Sequence, residues 1–343
     1  MKKDQDSAKT SSIFPATDPH PFVNNWGPET RHDKQPSTAR NAFSLEYPLY
    51  RQQLIGQLPK QFDQSQIPVE IDAETGTASY HADDIVKYGL HQIICFIENG
   101  DIPARYQALH IAEWLINHLS EWRKHIFAWP SEKPQPFYKL SAPRVSAKTH
   151  GLALSLLLRV AYIENDAWYE ETIKKIVRLF FLPVEEGGLV RQLGSGSLAF
   201  EEFPTPDQTV PLSSHLYSLI GLSEYANYFD DNDVKTILRG GLRGLRELMP
   251  VYDNGKWLLF DLHASKRCAS LQGIRNVCVL LKILSNHTED KQYAEMAQKW
   301  YAYTNTFANK RFYLLQRIWE AIRLRFSAKK LHIDAKYLKV APR

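Results

Sequence analysis

From about Asp83 onward, the apolar positions fall into helices of two kinds that alternate along the chain. The first kind is apolar nearly all round, as in Leu152, Leu154, Leu156, Leu157, Leu158 and Val160, or Val277, Val279, Leu280, Leu281 and Ile283. The second kind shows one apolar face, as in Ala108, Ile111, Ala112, Leu115, Leu119 and Trp122, or Val234, Ile237, Leu238, Leu242 and Leu245. A helix apolar on every side is enclosed, and a one-faced helix forms a surface layer. A short turn joins the two helices of each pair: Glu98-Asn99-Gly100-Asp101, Glu164-Asn165-Asp166, Asp230-Asp231-Asn232-Asp233 and His287-Thr288-Glu289-Asp290. Asn99, Asn165, Asn232 and His287 are 66, 67 and 55 residues apart, and Asp, Asn and Thr at these points are good N-caps for the second helix. Four inner helices ringed by four outer ones predict an all-α fold, an α/α toroid, because such repeats bury their faces only by stacking.

The turns within pairs gather at one end of such a toroid. The connections between pairs, about 127–145, 181–211 and 250–270, are long and gather at the other end, where function usually resides. The second connection opens on Gly187-Gly188, alternates apolar and polar positions through Leu193, turns at Gly194-Ser195-Gly196-Ser197 and returns as Leu198-Ala199-Phe200. That pattern predicts a short β-hairpin. Glu201-Glu202-Phe203-Pro204-Thr205-Pro206 follows, its prolines excluding helix and inner strand. The third connection predicts a second hairpin from Val251 to Leu258, around an Asn254-Gly255 turn. Together the three connections hold Tyr138, Lys139, Arg144, Arg191, Glu201, Glu202, Asp261, His263, Lys266 and Arg267. Aromatics, carboxylates and cations in one cleft suit an anionic sugar polymer better than an apolar ligand. Gly194 to Ser197 is no phosphate loop, since no Lys-Ser/Thr follows it and no helix opens on it.

Composition narrows the picture. Of 343 residues, 44% are hydrophobic and 12% aromatic, enough for a substantial core. No apolar run is long enough for a transmembrane helix, and no apolar segment follows the first lysines as in a secretory signal. Cys95, Cys268 and Cys278 lie beside or inside apolar helical segments and read as reduced core thiols of a cytoplasmic protein. His110, His118, His125 and His150 lack metal-ligand spacing, so neither a metal nor a cofactor is expected. The formal charge of +4 is uneven: Lys310 to Arg343 carries a net +8, which leaves −4 for the rest. A mildly acidic body argues against nucleic-acid binding. The expected division is a polar leader over 1–40, the toroid over 41–308, and a basic amphipathic C-terminal helix and tail over 309–343. Residues 310–330 place Phe312, Leu315, Ile318, Trp319 and Ile322 on one side. They read either as a docked helix with a solvated basic face or as a peripheral membrane contact, and a homodimer is left open.

Four places in the chain resemble the C-terminal domain of the D-glucuronyl C5-epimerase family. Gly187-Gly188-Leu189 is similar to the family's GGL. Glu201-Glu202-Phe203-Pro204-Thr205, with Leu216-Tyr217-Ser218-Leu219-Ile220-Gly221-Leu222 after it, resembles EEYPT…MYSLIGL. Pro250-Val251-Tyr252-Asp253 through Phe260-Asp261-Leu262 resembles LPLYD…YDLR. Ser146-Ala147…Gly151 and Tyr88-Gly89-Leu90 are looser matches.

The resemblance implies an α/α toroid and a uronic-acid C5-epimerase acting on a glucuronate-containing polysaccharide. Inversion at C5 needs a base on one face of the ring and an acid on the other, with a cation or donor stabilising charge on the adjacent carboxylate. Glu202 falls on the family's glutamate and is the base that the resemblance implies, while Glu201 reads as the more structural neighbour. Three family tyrosines are replaced here, by Phe203, Phe260 and Ser270, and the family's arginine after YDL is His263. His81, next to Tyr80, is the expected second proton carrier. Tyr80, Tyr138, Arg144, Arg191, Glu201, His263, Lys266 and Arg267 complete the expected substrate-binding set. Two alternatives stand beside this reading: a lyase that follows the same proton abstraction with β-elimination, and a non-catalytic relative that binds glycan or serves assembly.

Overall fold

Four helical pairs form where the periodicity places them. The computed structural model describes residues 43–47, 58–194 and 196–331. Its inner helices are α1 (Ala82–Asn99), α3 (Ala147–Glu164), α5 (Leu212–Phe229) and α7 (Leu271–Thr288). The outer ones are α2 (Ile102–Asn117), α4 (Ala167–Ile176), α6 (Asn232–Tyr252) and α8 (Lys291–Tyr303), and α9 (Phe307–Leu331) follows. The expected leader over 1–40 and the tail beyond Leu331 lie outside the described residues.

Local signals set these boundaries. Each inner helix ends on a residue in the left-handed region, Gly100, Asn165, Asp230 or Glu289, the usual way to satisfy the last carbonyls. Each outer helix then opens on an aspartate, Asp101, Asp166, Asp231 or Asp290, whose side chain accepts from the first turn's backbone N–H groups.

The inner helices stack in chain order, α1 on α3, α3 on α5 and α5 on α7, with each outer helix against its own partner. This is an α/α toroid of four helical hairpins. Among the described residues α1 and α7 make no comparable contact, so the hairpins form an arc. Only α3 and α5 have inner neighbours on both sides, and they are buried almost throughout. At the end of the arc α7 leaves Arg275 and Lys282 exposed, which its run of apolar residues did not suggest. The central pair approaches closely because Gly151 faces Gly221: a Cβ on Gly221 would lie 2.4 Å from the Gly151 carbonyl oxygen.

Short strand pairs decorate the connections. Glu70–Ile71 (β1) pairs with Ala78–Ser79 (β2) ahead of α1. Ser120–Arg123 (β3) pairs with Ile126–Ala128 (β4). Leu119 and Trp122 therefore fall beyond the outer helix they were expected to extend. The hairpin of the second connection forms as β5 (Val190–Gln192) and β6 (Leu198–Phe200), with Val190 opposite Phe200. Gly240 and Gly244 let α6 lie directly on it; a Cβ on Gly244 would sit 1.9 Å from the Leu198 carbonyl oxygen.

The second expected hairpin is reduced to a turn. Val251 and Tyr252 stay in α6, and only Asp253 and Leu258 pair across Asn254-Gly255. Tyr252 is fully buried and donates to the Val210 carbonyl at 2.5 Å, a contact made from the helix. Among the described residues no helix is long and apolar enough to cross a membrane. The three cysteines are buried and form no disulfide with one another.

Candidate active site

Loop geometry around β5 and β6 divides the two adjacent glutamates. Glu201 is fully buried and pairs with Arg191 at 2.7 Å. Its oxygens also accept from Thr209 N, Thr209 Oγ1 and Val210 N at 3.1, 2.5 and 2.7 Å. Burial raises its pKa, and Thr209 and Arg191 offset part of that rise. Arg191 donates in addition to the carbonyls of Thr205, Pro206 and Asp207. These two residues brace the 201–210 segment, and their polar atoms face protein.

Glu202 points elsewhere. It is half-buried, and its Oε2 accepts from Ser214 Oγ in the first turn of α5. The Arg144 guanidinium reaches its backbone oxygen at 3.5 Å and lies 5.1 Å from the Phe203 ring. Lys148, in the first turn of α3, sits 3.3 Å from Asp83 Oδ2 in the first turn of α1, and Lys87 pairs with the same carboxylate. Burial alone would favour the neutral forms of Asp83 and Lys148. It is outweighed on both sides: Lys148 and Lys87 hold Asp83 well below the carboxylate range, while Asp83 and Glu202 hold Lys148 above the ordinary lysine value. Burial pulls the Arg144 pKa down, opposed by Glu202 and Asp83. Two carboxylates and three cations thus cluster where the N-termini of α1, α3 and α5 meet, an end of the helices that favours bound anions. Asp83 Oδ1 is buried without a hydrogen-bond partner.

Tyr217, in α5, closes the inner side of this cluster. Its hydroxyl donates to Asn276 Oδ1 at 3.2 Å. Burial pushes its pKa up to about 12, and the charges of Lys87, Asp83 and Glu202 all act on it.

On the outer side Tyr138 stacks on Phe203 at 4.4 Å and meets His263 edge-on at 5.6 Å. Its hydroxyl donates to Asp261 at 2.5 Å, and Arg267 reaches Asp261 at 2.6 Å. Burial and Asp261 hold the Tyr138 phenol protonated far above its ordinary range. Arg267 also lies 4.0 Å over Phe137. His263 is fixed by Ser265, and Lys266 is exposed. Tyr138 therefore joins the Glu202 loop to the 261–267 loop at one end of the arc.

His81 and Tyr80 belong to a neighbouring cluster. His81 Nε2 meets Glu70 at 2.9 Å, and Glu70 also pairs with Lys133. Burial, then Lys133, lowers the His81 pKa against the pull of Glu70. Tyr80 is exposed and donates to Asp63 at 2.9 Å.

Four residues of the central cluster were missed in the sequence: Asp83, Lys87, Lys148 and Ser214. A signal existed for the lysines. A lysine inside a helix that is otherwise apolar must be paired or face a polar cleft.

The replaced tyrosines have other duties. Phe203 is the stacking partner of Tyr138, Phe260 lies 4.9 Å from the Arg267 guanidinium, and Ser270 caps α7 by accepting from Gly273 N.

Comparison with known proteins agrees with the sequence motifs. The D-glucuronyl C5-epimerase of Caenorhabditis elegans is 28% identical over 215 residues, covering 56% of this chain and 34% of its own length. An uncharacterized protein of Methanocaldococcus jannaschii is 21% identical over 204 residues, 57% of this chain and 66% of its own. The chain thus spans about a third of the nematode protein and just under two thirds of the archaeal one. Among solved structures, a cellobiose 2-epimerase from Spirochaeta thermophila aligns with a TM-score of 0.49 at 13% identity, over 72% of this chain and 64% of its own. An unsaturated glucuronyl hydrolase from Bacillus sp. GL1 aligns with a TM-score of 0.43 at 17% identity, over 63% and 60%. The sequence model of the D-glucuronyl C5-epimerase C-terminus matches residues 123–302, more than half of the chain, and the chain belongs to that family.

Proposed function

We propose that this protein is a uronic-acid C5-epimerase that acts on a glucuronate-containing polysaccharide. The observation that carries the proposal is the placement of Glu202. Its carboxylate is held by Ser214 on a braced loop, within electrostatic reach of Lys148 and Arg144, where three helix N-termini meet. In this reading Glu202 takes the C5 proton, and the C5–H electron pair passes to the adjacent sugar carboxylate. Lys148 and Arg144 stabilise the charge that develops there. A proton returns to C5 from the opposite face to complete inversion.

For that second proton we assign Tyr217 ahead of His81. Tyr217 lies one helical turn beyond Ser214, the residue that holds Glu202, and its buried phenol stays protonated near neutral pH. His81 is engaged by Glu70 instead. Lys266, exposed beside His263, extends the cationic surface along which a longer anionic chain would lie.

Hydrogen exchange at C5 in deuterated solvent, followed by NMR on glucuronate-containing polymers, tests the proposal. The Glu202→Gln protein should keep its fold and glycan affinity and lose exchange by about 10²–10⁴. Tyr217→Phe should impair inversion more than first exchange. Unsaturated product absorbing in the ultraviolet would replace the epimerase with a lyase. Tight binding with neither exchange nor unsaturation would leave a glycan-binding protein.

A further inference from the structure

The C-terminal helix α9 has two faces in different surroundings. On one, Tyr313 stacks on Trp257 at 4.7 Å and Glu320 accepts from Cys268 N at 2.9 Å, seating the helix on the 257–268 loop. On the other, Phe307, Leu314, Leu315, Ile318, Trp319 and Ile322 are exposed, Phe307 at 80% and Trp319 at 62%. At 3.6 residues per turn these six fall within an arc of about 140°. Single exposed apolar side chains are ordinary, but Leu314, Leu315, Ile318, Trp319 and Ile322 adjoin one another, with Phe307 beyond Arg311, and such a cluster marks an interaction surface. Lys310 and Arg311 are exposed on the same helix, and Lys310 to Arg343 carries a net +8 in the sequence.

We infer that this face of α9 lies in the surface of an anionic lipid bilayer. The apolar arc enters the boundary between headgroups and acyl chains, while the cations meet anionic headgroups. Trp319 stands at the edge of the arc, the position that indole rings favour at such interfaces. A second copy of this chain fits the face less well. Arg311 falls inside the apolar arc, so self-packing would bury its guanidinium in a dehydrated contact, whereas at a bilayer surface its long side chain reaches the headgroups. Because α9 rests on the loop that supplies Asp261 and Arg267, attachment would hold the candidate site beside the membrane. The inference does not depend on the uronate reading.

The test is co-sedimentation of the full chain with vesicles of phosphatidylcholine alone or mixed with phosphatidylglycerol. Binding should be at least about tenfold stronger to the anionic vesicles and should weaken at high salt. Ile318→Asp combined with Trp319→Ser should abolish it. Unfolding by denaturant should be unchanged, since both side chains are exposed. Arg311→Gln should reduce binding about fivefold. Negligible binding to both vesicle types overturns the inference, as does equal binding that survives the double substitution. A dimer in sedimentation velocity that the double substitution dissociates overturns it too, by assigning the face to a second copy.

Discussion

The α3–α5 pair holds charge at both ends, and the two ends hold it in opposite ways. At the turn end Arg159 pairs with Glu224 through bonds of 2.8 and 3.1 Å. It also donates to the carbonyls of Leu45, Ser155 and Glu46 at 3.0, 2.7 and 2.7 Å. All five N–H groups of a guanidinium are thereby matched. Eleven residues away, about 16 Å along the helix, Lys148 belongs to the loop-end cluster with Asp83, Lys87 and Glu202. There one Asp83 oxygen has no partner, and Glu202 is only half-buried. Buried charge with every hydrogen bond filled fixes the fold and binds nothing further. Charge left half-buried, or with a hydrogen bond unfilled, retains capacity for further interaction, and that distinction separates the loop end from the turn end.

Glu224→Ala strands Arg159 inside the core and should cost about 3–5 kcal/mol, read by chemical denaturation. Exchange at C5 in the protein that remains folded should be near normal. Lys148→Met probes the loop end and should do the reverse. Exchange should fall by about 10²–10³, as for loss of a group that stabilises developing charge, with little change in the denaturation midpoint because Lys87 still pairs with Asp83. If Lys148→Met instead unfolds the protein and leaves activity per folded molecule intact, the two ends are alike and the distinction fails.

A smaller effect sharpens the contrast through pH. His150 in α3 and His215 in α5 are fully buried at the loop end, and burial lowers both pKa values from 6.5 to about 4. His215 is satisfied as the neutral ring: Nδ1 accepts from Phe200 N at 3.2 Å and Nε2–H donates to the Gly241 carbonyl at 3.1 Å. Between those pKa values the unfolded chain binds protons that the folded one refuses, so stability falls as pH drops from 6.5 toward 4. The slope should reach about 2–3 kcal/mol per pH unit while both histidines contribute. Denaturation curves across that range should show it, and His215→Gln should flatten it. Since His215 ties β6 to α5 and α6, the Glu202 loop should loosen before Arg159 and Glu224 separate, measurable by hydrogen exchange at Phe200 and Gly241.

What the sequence determined by itself was local. Apolar periodicity placed the eight helices of the pairs, because a helix samples its own neighbours every three or four residues. The aspartate caps and left-handed stops followed from short-range backbone chemistry, and the glutamate pair from a contiguous motif. The choice of Glu202 over Glu201 as candidate base came from the family resemblance, and the burial of Glu201 against Arg191 and Thr209 was not readable from the motif. Tertiary structure decided the rest. Asp83 and Lys148 are 65 residues apart, and Tyr138 and Asp261 are 123 apart; no spacing rule joins them until the arc brings three helix N-termini together. Tyr252 stays in α6, donating to the Val210 carbonyl 42 residues back, so that of the expected hairpin only the Asn254-Gly255 turn forms. His81 was drawn to Glu70 on β1, and the apolar face of α9 was left outward because its other face met Trp257 and Cys268. Contacts between distant segments exist only once the chain has folded, and the candidate site is built almost entirely from such contacts.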